Sequence, residues 1–239
     1  MHQYFQEVQH LLNIVAVEEQ SSMRKAAELI SERIQGGGIL QLFGCGHSHL
    51  LAQEAFFRAG GLVPVETIFI EPLMLQAGAL TSSNNEKDPN FIANHRHILD
   101  FKPNDVLIII STSGRNVVPI DVAILAKEAG VLVISLQSLD YKEHAATKHK
   151  SGQRLEEVVD VVLNTHIPIG DGVLWHDSVQ YGPASSTVGS AILNTTICQV
   201  IEILASTGED LPVFESANLD GSKERNELLI ERYSNRINF

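Results

Sequence analysis

The segment ISTSGRN (residues 110–116) places three hydroxyl side chains and a glycine directly after an apolar run. Burying an unpaired hydroxyl costs free energy, so these groups need partners. A bound phosphate offers acceptor oxygens for several donors at once. Gly114 allows a sharp bend, and Asn116 stands where the next helix is predicted to begin. The segment therefore predicts an anion-binding loop, with an ordinary Ser/Thr turn and Asn cap as the alternative. Its hydroxyls belong to Ser111, Thr112 and Ser113.

A second segment with the same potential is FGCGHSH (residues 43–49). Gly44 and Gly46 permit a tight turn and a close approach of a ligand to the backbone. Ser48 falls at the start of the following helix, where free N–H groups and the helix dipole favour negative charge. The alternative is a plain turn with Ser48 as the N-cap. Together the two segments are stronger evidence for an anion site than either alone.

Three familiar motifs are absent from the loop over residues 43–49 or from the whole sequence. A dinucleotide fingerprint would need glycine at position 49, where His49 stands, and a hydrolase nucleophile elbow would need glycine in place of Leu50. No phosphate-binding loop of the G-x-x-x-x-G-K-[ST] type occurs. The sequence therefore disfavours dinucleotide binding, Ser-triad hydrolysis and nucleotide hydrolysis at these loops.

The elements that must position these loops alternate between strands and helices. Because such alternation gives right-handed crossovers, it predicts a parallel sheet with helices on both faces. Ligands of such sheets bind at the carboxyl ends of strands, where both loops lie. The pattern predicts strands over 39–44, 62–70, 105–110, 131–136 and 158–164, helices over 3–34, 47–59, 117–129 and 186–206, and loops over 81–90 and 168–183.

The composition of the chain limits the classes of partner that it can bind. The chain has 239 residues and a formal net charge of −12, with 17 Lys and Arg against 29 Asp and Glu. It contains no basic block of the kind that nucleic-acid binding requires, so we expect no nucleic-acid partner. No apolar run approaches the roughly 18 residues of a membrane span, and no membrane partner is expected. Two cysteines and the lack of a signal pattern predict a cytoplasmic protein.

The motifs GCGHS and STSGRN resemble those of the sugar isomerase (SIS) domain, found in phosphosugar isomerases and phosphosugar-binding regulators. The segment GPASSTVGSAILNTTICQVIE (182–202) is similar to MurNAc-6-phosphate etherases, and PVFESANLDGSKERN (212–226) to an uncharacterised SIS branch labelled phosphoheptose isomerase. The resemblance covers about residues 35–230. It implies a flavodoxin-like three-layer α/β/α fold with five parallel strands, paired as a homodimer. Residues 1–35 would form a helical segment packing on an SIS domain over 36–239.

The resemblance also implies which residues hold the sugar phosphate. By motif position they are Ser48, Ser111, Thr112, Ser113 and Asn116, with Gly46 and Gly114 allowing close approach. Asn116 replaces the threonine common at the last position, although an amide can still donate to phosphate. Three further hydroxyls open the last long helix, where they could cap the helix or join the ligand network: Ser185, Ser186 and Thr187.

Aldose–ketose isomerisation needs a base that moves a proton between adjacent carbons and a second group that protonates the oxygens and opens the ring. Glu71, just after the second strand, and Glu54, on the helix after Ser48, are candidate bases. His47 is the histidine best placed to touch a substrate. The alternatives are a solvated helix face for Glu54 and a loop charge for Glu71.

We expect no metal and no cofactor, because the ten histidines show neither a Cys₂His₂ nor an H-E-x-x-H spacing. The resemblance keeps zinc open as an alternative, since some phosphoheptose isomerases use it. The leading hypothesis is a phosphosugar isomerase that works through an enediol. Two alternatives stay open. One is a phosphosugar-binding module without catalysis, and the other is a phosphosugar lyase or etherase, which shares the same first step.

Overall fold

The computed structural model describes residues 2–208 and 210–239. The strands are β1 (Leu40–Gly44), β2 (Val65–Thr67), β3 (Val106–Ile110), β4 (Leu132–Gln137), β5 (Val161–Asn164), β6 (Gly172–His176) and β7 (Val179–Pro183). The helices are α1 (Gln3–Glu18), α2 (Gln20–Gln35), α3 (His47–Glu54), α4 (Ala79–Asn85), α5 (Phe91–His95), α6 (Val117–Glu128), α7 (Ser185–Ala205) and α8 (Ser222–Tyr233).

Five strands form one parallel sheet in the order β2-β1-β3-β4-β5. The central strand β3 is a continuous β-branched and apolar run that is buried on both faces, as expected for a sheet covered on two sides. The register pairs Gly44 at the end of β1 with Ile110 at the end of β3. The chain leaves β1 toward β2 on one side and returns to β3 on the other. The two predicted loops therefore emerge at the point where strand order reverses.

Helices cover both faces of this sheet, and the predicted three-layer α/β/α fold is confirmed. Residues of α1, α2, α3 and α7 share one core with the side chains on one sheet face. Residues of α5 and α6 pack against the other face. The N-terminal helices thus contribute to the same core as the strands that carry the loops.

Helix α7 is long and apolar enough to cross a membrane, judged by length and composition. The sequence reading found no apolar run of that length, because polar residues interrupt this one. Residues such as Val188, Ile192 and Leu193 are fully buried, and the helix packs against α1, α2 and α3. A helix at the centre of a core has this composition for that reason.

Several boundaries differ from the sequence expectations. The predicted loop over 81–90 begins inside α4, because Ser82 and Asn85 donate to the carbonyls of Leu73 and Pro72 and their polarity does not break the helix. Strand β2 is shorter than expected, since Val63 bonds to the tail at Pro212 instead of the sheet. Helix α3 ends at Glu54 and not at residue 59.

The predicted loop over 168–183 also contains structure. It forms the antiparallel hairpin β6–β7, closed by the two-residue turn Asp177-Ser178. Asp177 adopts a left-handed φ of 50°, which short hairpin turns require. Helix α8, in the tail, was not predicted.

Candidate functional site

The loops after β1 and β3 face each other across a cleft at the carboxyl edge of the sheet. One part, the loop lobe, has a volume of about 350 Å³. A second part, the helix lobe, has about 160 Å³ and extends to the start of α7. His47, Ser48 and Thr112 line both lobes, so the two lobes adjoin. The loop lobe is lined by Cys45, Gly46, His47, Ser48, Leu75, Ala79, Ser82, Ser83, Glu86, Ser111, Thr112 and Ser113.

A larger cavity, of about 550 Å³, lies elsewhere, beside the edge strand β2. It is lined by the C-terminal tail, by residues at the start of β1, and by residues along and after β2. None of the residues singled out in the sequence lines it. Volume alone therefore does not identify the site, and the chemistry of the two loops directs attention to the smaller cleft.

Four hydroxyl groups in the cleft are free to bind a ligand. Within residues 2–208 and 210–239, the side chains of these residues make no hydrogen bond to protein. By contrast, the hydroxyl of Ser82, which lines the same lobe, and that of Ser138, in the core, donate to backbone carbonyls at 2.6 Å. The free hydroxyls belong to Ser48, Ser111, Thr112 and Ser113.

Buried contacts fix the shape of the loop after β3. Gly114 has a φ of 59°, and a Cβ there would lie 2.8 Å from Oε1 of Gln137. Its carbonyl accepts the N–H of Leu155. The guanidinium of Arg154, nearly buried, donates to the carbonyl of Ser113 at 2.6 Å. The segment before β5 thus holds this loop in place before any ligand arrives.

The loop after β1 is equally constrained. Gly46 has a φ of 56° and donates its N–H to the carbonyl of Leu73. A Cβ on Gly44 would lie 2.6 Å from the backbone of Ser48, so glycine is needed for α3 to turn back over the strand end. This geometry directs His47 and Ser48 into the cleft.

The start of α7 differs from the expectation for its hydroxyls. Asp171 accepts hydrogen bonds from the N–H groups of Ala184 and Ser185 and from the hydroxyl of Ser185. The donors of Ser185 are therefore already used by a carboxylate. Ser186 lines the helix lobe, whereas Thr187 is exposed and lines neither lobe. A phosphate at this helix end would meet the charge of Asp171.

The two predicted bases lie away from the cleft. Glu54 forms an ion pair with Arg58 and accepts a hydrogen bond from Asn194 at 3.1 Å. Glu71 is exposed, in a short helical turn after β2. Neither residue lines either lobe. Their positions in the sequence suggested that both lie near the rim of the cleft. The carboxylate of Glu54 is instead paired with Arg58 and Asn194, and Glu71 faces solvent. His47 is exposed and lines both lobes.

Asn116 lies at the N-cap of α6, as predicted, and its side chain is paired within the protein. Its amide donates to Oε1 of Glu86 at 2.9 Å, and it lines neither lobe. Its own carbonyl oxygen is buried without a hydrogen-bond partner among the described residues. The side chain that takes the place of the usual threonine thus contacts a carboxylate within the protein.

Sequence reasoning missed Glu86, which lines the loop lobe. Burial raises the pKa of this carboxyl above its ordinary value, and the Asn116 hydrogen bond, Lys87 and Lys148 partly offset that effect. The Glu86 carbonyl accepts the N–H of Val118, which ties the segment to the start of α6. No local signal marks Glu86 in the polar stretch TSSNNEKDPN, because its partners lie about thirty residues further along the chain.

Fold and cleft together define the class: a three-layer α/β/α domain with a cleft at the reversal of strand order. The sequence model of the SIS domain matches residues 3–138. A UPF0309 protein in the nagA 3′ region of Lysinibacillus sphaericus is 54% identical over 100% of this chain and 98% of its own length. A UPF0309 protein of Geobacillus kaustophilus is 47% identical over 99% of this chain and 95% of its own length. The chain belongs to the SIS domain family.

Solved structures agree at the level of the fold. A phosphoheptose isomerase from Francisella tularensis superposes with a TM-score of 0.56 over 83% of this chain and 95% of that one, at 17% sequence identity. Identity this low supports a shared architecture, which matches the strand order described above. The predicted resemblance to the SIS domain is thereby confirmed.

Proposed function

We propose that this chain is a phosphosugar isomerase that binds its substrate in the cleft between the loops after β1 and β3. The observation that carries the proposal is the set of unpartnered hydroxyls converging there from Ser48, Ser111, Thr112 and Ser113. A phosphate group can accept from all of them, and charge-assisted hydrogen bonds of this kind are the stronger ones. The phosphoheptose isomerase with the same fold supports this substrate class.

The two lobes suggest how a sugar phosphate lies. The loop lobe holds most of the free hydroxyls and takes the phosphate, supported by the cations of Lys87 and Lys148 near its rim. The helix lobe carries the carboxylate of Asp171, which can accept hydrogen bonds from sugar hydroxyls. His47 lies at the junction and is the candidate group for moving protons between sugar oxygens.

Incubation with a panel of aldose and ketose phosphates of five to seven carbons tests the proposal, with conversion followed by NMR. We expect conversion of at least one pair, and its loss in a Ser111→Ala, Ser113→Ala double variant that stays folded. A thermal shift by the sugar phosphates without turnover would favour the non-catalytic binder. Release of a substituent at the carbon next to the enediol would favour the lyase. The absence of both a thermal shift and turnover would refute the proposal.

A second copy of the chain is the proposed partner. The β6–β7 hairpin exposes Trp175 on one face and Val179 and Tyr181 on the other. A homodimer contact there would remove these exposed apolar side chains from water. Light scattering on the wild type and on a Trp175→Ser, Val179→Ser variant checks this: we expect a dimer that becomes a monomer. Both cysteines are free, which supports a reducing, cytoplasmic compartment.

A further inference from the structure

We infer that Glu86 is the catalytic residue that moves the proton between the two adjacent carbons of the sugar phosphate, an inference that rests on the proposed isomerase function. Glu86 lines the same lobe as the free hydroxyls of Ser48, Ser111 and Ser113. Neither Glu54 nor Glu71 does so. The other carboxylate of the cleft, Asp171, accepts hydrogen bonds from Ala184 and Ser185, at the start of α7.

Two contacts from α6 hold Glu86 in this position. The Asn116 amide donates to Oε1 at 2.9 Å, and the N–H of Val118 donates to the backbone carbonyl at 3.1 Å. One carboxyl oxygen is therefore anchored, while Oε2 has no hydrogen-bond partner among the residues that the structure describes. An anchored carboxyl with one free oxygen at the edge of a cleft is the arrangement that proton transfer to a bound ligand needs.

The surroundings of Glu86 suit a group that must both take and return a proton. Cys45 lies on the loop after β1, and burial together with the charge of Glu86 raises the pKa of its thiol, which keeps it neutral. Lys87 on the same segment and Lys148 on the loop before β5 supply positive charge, while Asn116 supplies a neutral donor. Burial raises the pKa of Glu86, which makes its carboxylate a better base than an exposed one.

The step balances without any co-reactant. The Glu86 carboxylate removes the proton from the carbon that bears a hydroxyl beside the carbonyl. The C–H electron pair becomes the carbon–carbon double bond of an enediolate, and the carbonyl π pair moves to oxygen. Glu86 then returns the proton to the former carbonyl carbon, while a second proton passes from one oxygen to the other. One carbon is oxidised and its neighbour reduced, so no external oxidant or reductant is involved.

Replacing Glu86 tests this role. In Glu86→Gln the amide carbonyl still accepts from Asn116, so we expect a folded protein. Its affinity for inorganic phosphate, measured by thermal shift, should stay within about threefold of the wild-type value. Turnover of the sugar phosphate that the wild type converts should fall by about 10²- to 10⁴-fold, the usual contribution of a general acid or base. Incorporation of solvent deuterium at the carbon beside the carbonyl should fall equally. Glu86→Asp, which keeps the carboxyl, should restore part of both.

Glu128→Gln is the matched control, because Glu128 is exposed at the opposite end of α6. We expect wild-type turnover and exchange from this variant. Deuterium incorporation by Glu86→Gln at the wild-type rate would overturn the inference and leave the isomerase proposal standing. Loss of exchange in Glu71→Gln or Glu54→Gln, with exchange kept in Glu86→Gln, would assign the base elsewhere. No exchange and no turnover by the wild type would overturn the proposed function and the inference together.

Discussion

The hydroxyls of Ser111 and Ser113 can be removed without touching any bond that holds the protein together. Neither side chain makes a hydrogen bond within the described part of the chain, and both line the loop lobe. Ser→Ala at either position should therefore change the free energy of unfolding by less than about 0.5 kcal/mol. The same change should weaken phosphate binding by about 1.5–3 kcal/mol, the value of a hydrogen bond to a charged group. This corresponds to about 10- to 150-fold in Kd.

Ser138→Ala is the matched control, since its hydroxyl donates at 2.6 Å to the carbonyl of Ile167, and both residues are buried. Losing that donor leaves a buried carbonyl unsatisfied, so unfolding should become easier by about 1–3 kcal/mol. The melting temperature should fall by about 2–4 °C for each kcal/mol. Calorimetric titration with inorganic phosphate and urea unfolding would measure both quantities. The reasoning is refuted if Ser111→Ala destabilises the protein as Ser138→Ala does, or binds phosphate as the wild type does.

Three further outcomes are expected. Gly114→Ala should destabilise the fold by about 1–2 kcal/mol from its left-handed φ alone, and more because Gln137 must move, as urea unfolding would measure. Asn116→Ser removes a donor that lowers the pKa of Glu86, so the acid limb of the turnover–pH profile should move to higher pH; an unmoved limb would contradict this. Burial lowers the pKa of His49, whose ring nitrogens lack hydrogen-bond partners among the described residues. The free energy of unfolding should therefore decrease as the pH falls below the ordinary pKa of histidine. His49→Phe should raise the melting temperature and make it depend less on pH in that range.

The sequence was sufficient to predict the sheet and both loops, because their signals are local. Strands β1, β3 and β4 are buried apolar runs, and each is read from its own residues. The glycines and hydroxyls of the two loops follow the strand ends directly. Their meeting in one cleft follows from parallel pairing of β1 with β3, which the alternation of elements already implies.

What the sequence could not supply depends on contacts between distant residues. Glu86 reaches the cleft through Asn116 and Val118, across a separation that no spacing rule covers. Asp171 occupies the start of α7 because the loop before the hairpin folds back on that helix. Glu54 has the right position on α3, yet its contacts with α7 decide where its carboxylate points. The contacts of a side chain, more than its position on a helix or strand, decide whether a candidate residue faces the cleft.

The net charge of the chain also affects how quickly an anion reaches the cleft. The chain carries a net charge of −12, and its long-range field repels a dianion before any hydroxyl is within reach. Salt shortens the range of that repulsion to about 8 Å at physiological ionic strength, while the contacts made inside the cleft are screened much less. Association should therefore accelerate as salt is added, the reverse of the behaviour of enzymes whose net charge attracts the substrate.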